Sequence, residues 1–87
     1  MAKYKINFKQ SVAKDLRKIP NSDVKKILTR IEALAINPRD EGCVKLTGEE
    51  KYRVRQGTYR IIYEIREMEL VVAVIKIGHR YSVYKNK

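Results

Sequence analysis

Apolar residues first alternate along the chain and then change to a helical spacing. Residues 3–8 alternate, with Tyr4, Ile6 and Phe8 on one side, and this alternation predicts a first strand. From Phe8 onward the apolar positions recur every three or four residues, at Phe8, Val12, Leu16 and Ile19. This spacing predicts a short amphipathic helix that ends before Pro20.

A second helical pattern follows almost at once. Its apolar positions are Val24, Ile27, Leu28, Ile31, Leu34 and Ala35. Asn21 or Ser22 is the predicted N-cap, and Asp23 suits the positive end of the helix dipole in the first turn. Asn37 and Pro38 are predicted to end the helix. Because the connection between the two helices is very short, they should form an αα-hairpin.

The second half of the chain has the pattern of strands. A short extended piece is predicted at residues 44–46, followed by strands at 52–55, 58–66 and 70–77. Gln56 and Gly57 are the predicted tight turn between two of them, with a further turn near Glu67 and Met68. The last strand is apolar at almost every position, as expected of a strand buried on both faces.

These elements predict one domain over residues 1–87 with the order β-α-α-β-β-β. The helical hairpin should pack on one face of a small, mostly antiparallel sheet, giving a two-layer α+β sandwich. At 87 residues the chain is long enough for one modest core.

Arginines gather on one face of the predicted sheet. With Gln56 and Gly57 as the loop, Arg53 lies opposite Arg60 and Arg55 opposite Thr58. The face toward the helices then carries Tyr52, Val54, Tyr59, Ile61, Tyr63 and Ile65. The opposite face carries Arg53, Arg55, Thr58, Arg60, Ile62 and Glu64.

Like charges opposite each other destabilise a strand pair, whereas an anion between them reverses that cost. The guanidinium fork fits phosphate geometry, and same-face residues about 7 Å apart match neighbouring phosphates of a single strand. The pattern therefore indicates a phosphate-binding surface. The alternative is a merely solvated face.

The charge balance agrees with an anionic partner. The chain has 20 Lys and Arg against 10 Asp and Glu, a net charge of +10, which favours nucleic acid, a membrane surface or an acidic protein. At the C-terminal end, Tyr81 and Tyr84 follow His79 and Arg80. Aromatic rings beside cations suit unstacked bases. Alternatively, Tyr84 packs at the sheet edge and His79 is structural.

Several other classes of protein are disfavoured. The single Cys43 cannot form an internal disulfide, and with one histidine it cannot build a zinc site. Neither a metal nor another cofactor is expected. The longest apolar run, residues 70–75, is too short to span a bilayer, and the first seven residues lack a run of signal-peptide length. We therefore expect a cytoplasmic protein that does not associate with membranes.

The C-terminal half resembles RelE-type toxins of bacterial and archaeal toxin–antitoxin systems. The resemblance rests on YRVRQGTYRIIYEIREMELVVAVIKIGHRYSVY, and KLTGEEKYRVR after a helix ending in NP extends it. The segment FKQSVAKDLRKIP is also similar in kind, so the resemblance covers nearly the whole chain. Its most specific parts are YRVRxGxYRIIYEI and IGHRxxVY.

The resemblance implies both the predicted fold and an activity. Such toxins bind in the ribosomal A site and cut mRNA without metal, by attack of a 2′-hydroxyl on the next phosphate. Carried over by position, Arg60 contacts the scissile phosphate, Arg80 stabilises the transition state or serves the leaving group, and Tyr84 stacks on a base and aligns the 2′-hydroxyl. Arg53, Arg55 and His79 are expected to belong to the same catalytic group. The expected RNA contacts are Lys45, Arg53, Arg55, Arg60, Arg80 and Tyr81.

One departure from the family concerns the proton acceptor. Arg53 and Arg55 lie where some members have a lysine pair that can supply a general base. Arginine stays protonated and is a poor base. The acceptor is then His79, Tyr84 or a group on the ribosome. An imidazole suits proton transfer near neutral pH.

The resemblance also implies a partner. A RelB-like antitoxin with a DNA-binding N-terminal part would wrap the toxin and cover its basic face. The complex would repress its own operon, so that operator DNA is contacted only through the antitoxin. Two other functions remain open: a ParE-like gyrase inhibitor, and a catalytically inactive relic that still binds an antitoxin.

Overall fold

The computed structural model describes residues 3–46, 48 and 51–79. The elements, in chain order, are β1 (Lys5–Phe8), α1 (Gln10–Arg17), α2 (Asn21–Ile36), β2 (Val44–Lys45), β3 (Lys51–Gln56), β4 (Tyr59–Arg66) and β5 (Val71–His79). The predicted α+β class and element order are confirmed, with β2 as the short extended piece. Neither helix of this described part has the length and apolar character needed to cross a lipid bilayer.

The five strands form one sheet in the order β1-β5-β4-β3-β2. Among the strand pairs of the described residues, the β1–β5 pair alone is parallel, because β1 is joined to the rest of the sheet through the helical hairpin. β5 therefore lies inside the sheet, between β1 and β4. This position explains its apolar sequence: Val72 and Val74 are fully buried toward the helices, and Val71 and Ala73 are buried on the other side.

The core lies between the helices and one sheet face. It is formed by Tyr4, Val12, Ile19, Ile27, Ile31, Leu34, Val54, Ile61, Tyr63, Val72, Val74 and Ile77. Tyr63 is fully buried and its hydroxyl donates a 2.6 Å hydrogen bond to the carbonyl oxygen of Pro38. Burial raises the pKa of Tyr63, and so does its contact with Cys43, which keeps the hydroxyl protonated as a donor.

The start of α2 differs from the prediction. Asn21 and Ser22 lie inside the helix, and Pro20 occupies the N-cap position without a side-chain hydrogen bond. The backbone replaces the missing cap, because the Pro20 carbonyl accepts hydrogen bonds from the amides of Asp23 (2.9 Å) and Val24 (3.0 Å). The predicted end is confirmed: α2 stops at Ile36, before Asn37.

Two residues of the apolar stripes do not reach the core. Phe8 is the last residue of β1 and is 47% exposed, since α1 begins only at Gln10. Leu28 of α2 is 36% exposed. Both residues line a surface groove of about 370 Å³ beside Val12 and Leu16.

An ionic and aromatic cluster ties distant segments together at one end of the sheet. Arg39 forms a 2.7 Å ion pair with Glu67, and Glu67 also accepts a 3.1 Å hydrogen bond from Tyr4. The Arg39 guanidinium lies 5.7 Å from the ring centre of Tyr52, which stacks on Tyr63 at 5.8 Å. Arg39 foremost, and then Tyr4, lower the pKa of Glu67 below its ordinary value.

Candidate nucleic-acid interface

The β3–β4 hairpin sets the positions of the arginines, and its register differs from the prediction. Gln56 pairs with Tyr59, so the two loop residues are Gly57 and Thr58 rather than Gln56 and Gly57. Gly57 has φ +62°, and it stands at the first central position of the turn, where type II′ hairpin turns require a positive φ. The loop therefore begins at the glycine, one residue later than predicted.

This shift changes which residues face each other. Arg55 lies opposite Arg60, and Arg53 lies opposite Ile62; the predicted Arg53–Arg60 and Arg55–Thr58 pairs are wrong. Moving the loop by one residue moves the partner of each residue by two positions. Side chains alternate between the two faces with a period of two, so every side chain stays on its predicted face. Val54 and Ile61 are buried on the helix side, as expected.

We call the three-arginine surface away from the helices, formed by Arg53, Arg55 and Arg60, the arginine face. Arg55 is exposed, Arg53 is half-buried, and Arg60 is 6% exposed. On the β5 side, Arg60 pairs with Gly78, which has no side chain to cover it. The structure therefore combines a buried guanidinium with an exposed one directly across the strand pair.

Other predicted site residues lie elsewhere. Lys45 pairs with Tyr52 and so projects to the helix side at the sheet edge, not to the arginine face. His79 pairs with Tyr59, also on the helix side, and their rings meet edge-on at 6.2 Å. Arg80, Tyr81 and Tyr84 lie outside the described residues.

One cation that the sequence analysis missed joins the arginine face. Lys76 pairs with Ile62, in the same row across the sheet as Arg53. It reaches this face through an irregularity in β5, which the apolar run before Lys76 does not reveal. Within residues 3–46, 48 and 51–79, no cluster of His, Cys, Asp and Glu that could hold a metal ion is present.

Comparison with known proteins identifies the family. The model of the ParE toxin of type II toxin–antitoxin systems matches residues 6–84. The candidate toxin RelE1 of Methanocaldococcus jannaschii is 35% identical over 88 residues, covering 97% of this chain and 98% of that protein. The chain belongs to the RelE/ParE toxin superfamily.

Solved structures of RelE toxins share the fold. The toxin–antitoxin complex RelBE2 of Mycobacterium tuberculosis matches with a TM-score of 0.79 and 25% identity, over 88% of this chain and 98% of that chain. The archaeal RelE–RelB complex of Pyrococcus horikoshii matches with a TM-score of 0.75 and 26% identity, over 90% and 96%. The chain is thus a type II toxin with the RelE fold.

Proposed function

We propose that this toxin is a ribosome-dependent endonuclease that cuts mRNA in the A site without metal. The arginine face carries the proposal, because Arg55 stands directly opposite Arg60 and Arg60 is buried. Two cations opposite each other repel, and a phosphate bound between them turns this repulsion into attraction. The 35% identity to RelE1 favours the RelE type of target over the ParE type.

The chemistry proposed for this face is an internal transfer at phosphorus. The 2′-oxygen of one nucleotide attacks the next phosphate, the bond to the 5′-oxygen breaks, and the products are a 2′,3′-cyclic phosphate and a 5′-hydroxyl. Negative charge builds on the phosphate oxygens as the new bond forms, and fixed guanidinium groups stabilise it. Arg60 is the proposed contact to the scissile phosphate, with Arg53 and Arg55 holding its neighbours.

The remaining roles follow the family resemblance. Arg80 would stabilise the transition state or serve the leaving group, Tyr84 would stack on a base, and Tyr81 and Lys45 would contact RNA. The 2′-hydroxyl proton needs an acceptor. The edge-on packing of His79 on Tyr59, on the opposite side of the sheet from Arg60, favours Tyr84 or a ribosomal group over His79.

The test uses purified toxin, ribosomes programmed with a defined mRNA, and mapping of the cut sites. Arg60→Ala should slow A-site cleavage about 100- to 1,000-fold, the usual loss for one transition-state donor. Because Arg60 is buried, Arg55→Ala supplies a second variant at an exposed position. Arg17→Ala, which removes the same charge from the exposed end of α1, is the matched control and should cut normally.

Intact mRNA at a high dose of folded toxin would overturn this assignment. The second candidate is gyrase inhibition, favoured by the ParE description of the matching family model. Purified gyrase should keep its supercoiling activity in the presence of the toxin. Inhibited gyrase together with intact mRNA would establish the ParE-like function instead. Continued growth after induction without antitoxin, with folded toxin present, would indicate an inactive relic.

The proposed partner is a RelB-like antitoxin. The structures from M. tuberculosis and P. horikoshii are complexes of this kind, and a net charge of +10 suits an acidic segment. The complex would bind operator DNA through the antitoxin, and work on ribosomes places the toxin in the cytoplasm. Co-expression with a cognate RelB-like antitoxin should yield a stable complex that abolishes mRNA cleavage.

A further inference from the structure

β4 and β5 do not pair regularly along their whole length. Ile62 pairs with Lys76, but the next residue, Tyr63, pairs with Val74. Ile75 is therefore an extra residue in β5, which makes this site a β-bulge. Such bulges re-aim side chains and are common next to active sites.

The bulge reverses the alternation of β5. Val72 and Val74 are both fully buried toward the helices, so a regular strand would send position 76 into the core as well. Instead Ile77 takes the next core position, at 1% exposure, and Lys76 lies with Ile62 on the side of the arginine face. Without the extra residue, a lysine would have to be buried in the core.

The reversed segment is held by α1. β1 ends at Phe8, opposite Val74, so no strand among the described residues pairs with β5 on that side beyond the bulge. There the backbone amide of Ile77 donates a 3.2 Å hydrogen bond to a carboxylate oxygen of Asp15. The helix thus replaces the missing strand and fixes the register that presents Lys76.

Lys76 differs chemically from the arginines beside it. It is a diagonal neighbour of Arg60, about 7–8 Å away between Cα atoms, and Gly78 leaves no side chain in that corner. Arginine keeps its protons at all relevant pH values, so it stabilises charge but does not transfer a proton. Among the described side chains in the rows of Arg55–Arg60 and Arg53–Ile62, Lys76 is the one cation whose side chain is an ammonium group rather than a guanidinium group.

We propose that Lys76 is the general acid of the cleavage reaction, an inference that rests on the proposed endonuclease function. As the bond between phosphorus and the 5′-oxygen breaks, the Lys76 ammonium donates a proton to that oxygen. The 2′-hydroxyl proton goes to the separate acceptor. The neutral amine then regains a proton from water, which restores the enzyme for the next turnover.

The test compares two mRNAs that differ in one atom. One carries the normal 5′-oxygen at the cleaved A-site bond, and the other carries sulfur in its place. A thiolate leaves without protonation, so the sulfur substrate does not need a general acid. Lys76→Ala should cut the oxygen substrate about 100- to 10,000-fold more slowly. It should cut the sulfur substrate within about tenfold of the wild-type rate, since that substrate does not use the proton, and the loss of the lysine charge alone has a small effect.

Matched variants separate this role from binding and folding. Arg60→Ala should be slow on both substrates, and Lys25→Ala, an exposed lysine on α2, should be normal on both. Lys76→Arg keeps the charge but is a poor proton donor, so it should stay slow on the oxygen substrate. Thermal unfolding of each variant reports whether it is folded.

Three results would overturn the assignment of Lys76. They are normal cleavage by Lys76→Ala, an equal loss on both substrates, and full activity of Lys76→Arg, which would reduce its role to charge alone. In each of these cases the wild type still cuts mRNA and the proposed function stands. If the wild type cuts neither substrate, the endonuclease function itself fails.

Discussion

At the scale of single residues, the opposed charges of the arginine face should lower the stability of the fold. Arg55 and Arg60 face each other across the hairpin, where like charges are unfavourable. Arg55→Thr should therefore raise the free energy of unfolding by about 0.2–1 kcal/mol, while it weakens RNA cleavage. Urea unfolding at low ionic strength measures the gain. The gain should shrink in about 1 M salt, where the screening length falls to about 3 Å. Equal destabilisation at both salt concentrations would contradict a repulsive pair.

The sequence was sufficient to place these arginines on one face, but not to pair them. The arginines alternate along the strands with Val54 and Ile61, which must be buried. This alternation assigns the arginines to the face away from the helices, wherever the turn begins. The partner of each arginine depends on where the turn begins, and this depends on the positive φ of Gly57. Two neighbouring loop placements fit the same alternation, so the pattern alone does not choose between them.

At the scale of secondary-structure elements, the strand and helix order was predictable and their irregularities were not. The bulge at Ile75 is hard to read from the sequence because residues 70–75 are all apolar and show no alternation. The single lysine that follows, Lys76, does not by itself show where the alternation changes. The N-cap at Pro20 was missed because Asn21 and Ser22 are better capping residues, yet the fixed φ of the proline starts the helix one residue earlier. These details depend on tertiary contacts such as the one from α1 to β5.

That contact gives a testable prediction for β5. Asp15→Ala removes the acceptor of the Ile77 amide, which should lower the free energy of unfolding by about 1–3 kcal/mol. The amide of Ile77 should also exchange its hydrogen faster, as measured by NMR. Asp15→Asn keeps an acceptor oxygen and should recover most of the protection. Unchanged exchange in Asp15→Ala would show that the carboxylate does not hold the strand.

At the scale of the whole molecule, one ion pair joins three distant segments and makes stability depend on pH. Glu67 binds Arg39 and Tyr4, and these contacts lower its pKa in the folded state. Because the pKa of Glu67 is lower in the folded state than in the unfolded state, its contribution to stability is fully present above the unfolded pKa, about 4.3. This contribution is lost as the pH falls through the pKa of Glu67 in the folded state. Glu67→Gln should lower the melting temperature at pH 7 and match the wild type in strong acid.

A pH series of thermal unfolding checks this prediction. Glu32→Gln, an exposed change on α2, is the control and should follow the wild type at every pH. A constant gap between Glu67→Gln and the wild type down to strong acid would mean that the side chain stabilises the fold through packing rather than through charge.

The excess of positive charge is also a property of the whole molecule, and the salt dependence of RNA binding would measure how much of this charge lies on the proposed RNA-binding surface. Twenty cations against ten anions attract any polyanion at long range. However, only cations that bind phosphates directly release counterions. Each such contact makes the logarithm of the affinity fall more steeply with the logarithm of the salt concentration, by about 0.7 per contact for a single strand. Arg55→Gln should reduce the slope by roughly that amount. Arg17→Gln, on the exposed end of α1, should lower the affinity slightly and leave the slope unchanged. If both variants reduce the slope equally, RNA is held by the diffuse charge of the whole surface rather than by the arginine face, and the pairing of Arg55 with Arg60 would have no role in binding.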